Sequence, residues 1–191
     1  MASKQVHLAQ DRDADALLSA DPLALLIGMA LDQQFPMERA FRGPYVMQQR
    51  MGGFDAATIA GRADLKEVFA IPPVVHRFPG SMSTRVQELC RHIVEQYDGD
   101  AARIWTEAKT GDNLLKRLQA LPGFGKQKAQ IFLALLGKQL GVRPKGWREA
   151  AGAYGEDGSF RSIADVTSPE SLLKVRAYKQ SVKAAAKAAS R

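Results

Sequence analysis

Cysteine is all but missing from this chain: Cys90 is the single one among 191 residues. An intramolecular disulfide is therefore impossible, and four-thiolate clusters of zinc or iron–sulfur type are excluded. Histidine is scarce as well. His7, His76 and His92 stand at no spacing that ligates a metal, so no metal centre is expected. No apolar run approaches the length that crosses a bilayer. The polar, acidic start "MASKQVHLAQDRDADALL" has no signal-peptide hydrophobic region, and a cytoplasmic protein is the expectation. No stretch alternates apolar and polar residues over a useful strand length, which leaves helices. Acidic residues are short in one part only. Through Gly125 the chain has 14 Lys and Arg against 15 Asp and Glu; from Lys126 onward it has 13 against 5. The net charge of +7 thus arises in the last third, an arrangement that suits binding along a phosphate backbone.

What is present reads as an all-α protein. Asp21-Pro22 offers an N-cap and a proline at the first helical position. Leu23, Leu26, Ile27, Ala30 and Leu31 then repeat as one buried helix face. A second helix is expected over 38–51, ended by Gly52-Gly53, and short helices over 56–70. "IPPVVHRFPGSMS" reads as a proline-broken loop. Val86, Leu89, Cys90, Ile93, Val94 and Tyr97 predict a helix over 84–97, and a short turn follows near 104–108. Asp112 is placed to cap a leucine helix through Leu121, and a further apolar helix spans 126–140 up to Gly141. Past Gly141 a glycine- and charge-rich stretch precedes a last helix that starts at Ser168-Pro169. Leu172, Val175, Tyr178 and Val182 attach it, and its basic, alanine-rich end is expected to fray.

Between the two central helices lies "LPGFGKQKA", residues 121–129. Pro122 fixes one backbone angle, and Gly123 and Gly125 are free to take φ values that other residues resist. A glycine turn opening a helix leaves backbone N–H groups unsatisfied at the positive end of the helix dipole, where a phosphate fits. Lys126 and Lys128 add attraction without base specificity. A bare "PGxG" equally describes an ordinary corner between helices. The leucine helix before it, the apolar helix after it and the onset of basic charge together favour a grip on the DNA backbone.

Three segments, in order, resemble the helix-hairpin-helix–GPD superfamily of base-excision DNA glycosylases. They are "LLIGMALDQQFPMERA" (25–40), "STRVQELCRHIVEQYDG" (83–99) and "LQALPGFGKQKAQIFLALLG" (118–137). The likeness spans about residues 20–141, is most specific at the hairpin, and is nearest to a compact branch without the iron–sulfur cluster. It implies a two-lobed, all-helical glycosylase-like fold. One lobe, 22–137, would carry the wedge loop and hairpin; residues 1–21 with 138–191 would form the other. By the same resemblance Leu121, Pro122, Gly123, Phe124 and Gly125 hold a backbone phosphate, with a monovalent cation on the turn carbonyls as an option. Gln34 falls on the glutamine that fills the gap left by a flipped base, and Gln33 is its neighbour. The implied partner is duplex DNA containing a damaged base, bound by a monomer associated with the nucleoid, with no other cofactor.

The pattern also departs from that family. Its lyase members carry a lysine two residues past the second hairpin glycine; here Gln127 stands there and forms no imine, so no lyase step is expected. The family's aspartate beyond the second hairpin helix is missing from "GVRPKGWRE" (141–149), which instead brings Lys145, Trp147 and Arg148 towards the DNA side. Glu149 is the nearest acid, as easily a surface carboxylate as a catalytic one, and Asp157 is a more distant candidate beyond another glycine turn. Phe35, Tyr45 and Trp147 are the aromatic candidates for stacking on an extruded base, Trp147 foremost. The expectation is a monofunctional DNA N-glycosylase. Its alternatives are a DNA-binding module that has lost its carboxylate and, more distantly, an all-α protein–protein adaptor.

Overall fold

A computed structural model describes residues 5–190; the first four residues of the N-terminal stretch read above, and Arg191 of the basic tail, lie outside them. Within them the chain is all-α, with no strand. Among the described residues no single helix is long and apolar enough to cross a membrane.

The local signals explain most of the elements. Helix α1 (Arg12–Ala20) is capped by Asp11, whose side chain accepts the Ala14 N–H. Asp21 caps α2 (Pro22–Leu31) by accepting the N–H groups of Leu23 at 2.8 Å and Ala24 at 3.3 Å, with Pro22 at the first position. The expected single apolar face understates this helix. All of Leu23–Leu31 is buried, because α1, α3 (Met37–Met51) and α6 (Pro79–Tyr97) pack around it. Helices α4 (Ala56–Gly61) and α5 (Leu65–Ala70) lie against α6. Helix α6 begins five residues before the expected Thr84. Its Pro79 occupies the first helical position, so this proline starts a helix in the segment read as broken.

After the short α7 (Arg103–Thr106) comes α8 (Gly111–Gln119), capped by Thr110 through the Asn113 N–H and not by Asp112. Helices α9 (Lys126–Gln139) and α10 (Trp147–Ala151) pack on each other and on α8. Two 3-10 turns follow, Gly152–Gly155 and Ile163–Asp165, and both lie on α9. The last helix, α11 (Pro169–Ala189), starts at Ser168 as expected and stays helical through the alanine-rich stretch. Only its first half is held. Leu172 and Val175 are buried, whereas Tyr178 and Val182, counted with them as anchors, are exposed.

One apolar cluster runs from Val6 to Val175. Residues 12–20 pack mainly on α2 and α3, and the residues after 140 mainly on α8, α9 and one another. Cys90 sits inside the cluster, its thiol pushed up to about 12 by burial, and is inert.

Candidate nucleic-acid interface

The hairpin is a tight turn with an open helix start. The Phe124 N–H donates to the Leu121 carbonyl at 3.0 Å, with Pro122 and Gly123 between them and Gly123 at φ +82°. Proline followed by a left-handed glycine is the type II arrangement. Gly125, expected to need similar freedom, does not: its φ is −74°, and it precedes α9 without a side-chain cap. Gly123, Gly125 and Lys126 are exposed, while Leu121 and Phe124 are buried, Phe124 edge-on to Phe132 at 6.2 Å. The first N–H groups of α9 therefore face solvent beside a glycine with no side chain in the way. At the turn, the Leu118 and Leu121 carbonyls already accept N–H groups, and those of Pro122 and Gly123 accept none from the described backbone. Two free oxygens do not by themselves define a cation site.

The glutamine loop is joined to this hairpin through one side chain. Arg85 on α6 links the two: its Nη1 donates to the Gln33 Oε1, and its Cδ stands 2.7 Å from where a Cβ on Gly123 would project. His76 holds the same loop from below. Its Nδ1 accepts the Phe78 N–H at 3.1 Å, which leaves Nε2 to donate to the Gln33 carbonyl at 3.1 Å. Burial lowers the pKa of His76 and keeps it neutral in this role. Gln34 is exposed at φ +51°, a backbone state that a side-chain-bearing residue seldom holds without cause.

Lys128 does not reach outward to a phosphate, which corrects the expectation. Its Nζ donates to the Met29 and Ala30 carbonyls, at 3.1 and 3.3 Å, in the last turn of α2, at the negative end of the helix dipole. Burial lowers the amine to about 8, against the pull of Asp32 and with the repulsion of Arg85. The start of α9 is thereby pinned to the end of α2, next to the glutamine loop.

Under this junction opens a cavity of about 670 Å³. Asp32 and Met29 line it from α2, Gln127 and Lys128 from α9, Tyr154 and Arg161 from the following turns, and Tyr178, Lys179 and Lys183 from the bare half of α11. Gln127, at the family's lysine position, donates to the Tyr154 hydroxyl at 2.9 Å. Arg161 is paired with Glu156. Asp32 is half-buried, and no hydrogen bond or ion pair among the described residues uses its carboxylate. Burial raises its pKa; Lys179 and Lys128 oppose that shift and Glu38 adds to it.

The downstream segment goes elsewhere. Trp147 is core, not a base platform: it is buried, and its ring lies so close to Gly137 that a Cβ there would meet it at 2.3 Å. Lys145 is exposed, but its carbonyl accepts the Gly111 N–H at 2.8 Å. That is the start of α8, about 14 Å of helix from the hairpin at its other end. Arg148 stacks on Trp147 at 4.6 Å and pairs with Asp157 at 2.5 Å. Glu149 and Asp157 are exposed and line none of this cavity. Of the other aromatic candidates, Phe35 packs on His76 at 4.5 Å and Tyr45 against the core.

Comparison with protein-family models, curated proteins and solved structures yields no match. Sequence reasoning missed Asp32, Arg85, Tyr154 and the lysines of α11 as a group. Asp32 stood one residue before the glutamines already singled out. Arg85 carried a fainter signal, a cation on the polar side of a clear amphipathic helix.

Proposed function

We propose that this protein binds duplex DNA at the hairpin and admits an extruded nucleotide to the cavity beside it, as a monofunctional base-excision N-glycosylase would. One observation carries the proposal: Arg85 joins the glutamine loop to the Gly123 turn, while Lys128 pins the start of α9 to the end of α2, so the hairpin and the loop stand together. The solvent-facing N–H groups of α9 and the nearby Lys126 supply a backbone phosphate site. Gln34, exposed next to the Arg85-bound Gln33, is the side chain that would enter the stack and offset part of the few kcal/mol that extrusion costs. Lys179 and Lys183 extend the positive surface along α11. Gln127 leaves no amine at the family's lyase position, and Lys128 is engaged by carbonyls.

The placement of Glu149 and Asp157 outside the cavity favours a second reading, a lesion-binding module without chemistry. The first test is common to both. A duplex carrying one tetrahydrofuran abasic analogue should bind more tightly than the undamaged duplex, with affinity falling steeply as salt rises. Gln34→Ala should reduce that preference. Equal, salt-insensitive affinity for the two duplexes would refute DNA binding at this face.

A further inference from the structure

Helix α11 uses its cations in two ways. In the anchored half they serve the fold: Arg176 pairs with Glu38 on α3, and Lys174 lies over the Phe160 ring at 4.7 Å. Beyond Tyr178 they do not. Lys179, Lys183 and Lys187 are exposed, and among the described residues none of them forms an ion pair. No Asp or Glu follows Glu170 in the chain. We infer that the far half of α11 is a second contact with duplex DNA, lying along backbone phosphates beside the hairpin. This rests on the DNA-binding function proposed above, and it falls on a helix beyond the segments that carry the family likeness.

The three lysines stand at i, i+4 and i+8, so they follow one another along one side of the helix at steps of about 6 Å. Like charges at that spacing repel and weaken a helix that has no packing beneath it. A line of phosphates removes the repulsion and releases counterions, so it both holds this half and stiffens it. The residue types choose the occupant. Past Val182 the described helix offers only lysine and alanine, with Ser190 at its end. A partner helix would need large apolar side chains to seat against, whereas a phosphate backbone needs ammonium groups alone. Position agrees with charge. Lys179 and Lys183 line the same cavity as Gln127 and Lys128 from the first turn of α9, so the row starts across that opening from the bare helix start of the hairpin. Asp32, the one carboxylate lining the cavity, has Lys179 and Lys128 beside it and leaves Lys183 and Lys187 uncompensated.

The test uses the full chain with two short duplexes, one undamaged and one carrying a tetrahydrofuran abasic analogue. Hydrogen exchange of the wild-type protein, read by mass spectrometry, should slow several-fold over residues 178–190 when either duplex is added. Lys179→Gln, Lys183→Gln and Lys187→Gln together should reduce the slope of log affinity against log salt by about 2–3, since each phosphate contact contributes about 0.9. Arginine at the same three positions should keep the wild-type slope. These lysines reach no base, so the preference for the tetrahydrofuran duplex should be the same in both variants as in the wild type. An unchanged slope in the glutamine variant overturns the inference. So does a duplex that protects residues 121–129 and not 178–190, a result that needs no variant and leaves DNA binding at the hairpin standing. Poly-glutamate that slows exchange in α11 as much as the duplex does would assign the helix to acidic proteins, and overturns it as well. Failure to bind either duplex removes both this contact and the function it rests on.

Discussion

The hairpin and the stretch from Gly141 to Asp157 look alike in composition, both rich in glycine and basic residues, yet they use those residues in opposite ways. In the hairpin, Gly123 turns the chain and Gly125 leaves the start of α9 bare, so backbone donors face water. In the downstream stretch the chain folds back onto α8 and α9, and Trp147 fills the hollow over Gly137. One glycine-rich segment leaves a helix start bare; the other closes a core. The lesson is that a glycine's use is decided by what approaches it, and the approaching group often comes from another helix.

That contrast can be broken by substitution. The largest effect is expected from Trp147→Ala, which should cost about 3–5 kcal/mol in urea unfolding and leave the DNA affinity of the folded protein unchanged. A stable variant with weakened DNA binding would return Trp147 to the interface. Gly123→Ala should come next, costing about 1–2 kcal/mol because an L-residue resists the left-handed backbone there. Gly125→Ala separates fold from contact: its backbone is ordinary and its surroundings open, so stability should change by less than about 0.5 kcal/mol while duplex affinity falls several-fold. Unchanged affinity would take the hairpin out of the interface.

The smallest effect lies in titration. NMR of the Lys128 side chain should show a midpoint near 8 instead of the ordinary 10.5. The folded amine releases its proton before the unfolded one does, so this group's contribution to stability should rise between those two pH values. An ordinary lysine midpoint would contradict its seat on the α2 carbonyls. Below the hairpin, Glu149→Gln and Asp157→Asn should alter neither DNA binding nor any base release.

Much of the fold was legible because caps and periodicity are local. Asp21-Pro22, Ser168-Pro169 and the stripe from Val86 to Tyr97 mark helices that the structure contains. Pro79 was harder, since the same residue both ends a loop and begins a helix. The candidate site was half legible. The turn at Gly123 and the exposure of Gln34 follow from short motifs. Lys128 meets carbonyls 98 and 99 residues away, and no neighbouring residue announces that contact. Asp32 ends a helix like any other aspartate until α11 closes over it, and Trp147 needed Gly137, ten residues earlier on another helix.

Helix α11 closes that space as a beam fixed at one end. Leu172 and Val175 are its fixings, and the twelve residues from Tyr178 to Ala189 extend about 18 Å without apolar support beneath them. Small bending at the anchor becomes larger travel at Lys183. The wall that α11 gives the cavity is therefore held from one end only.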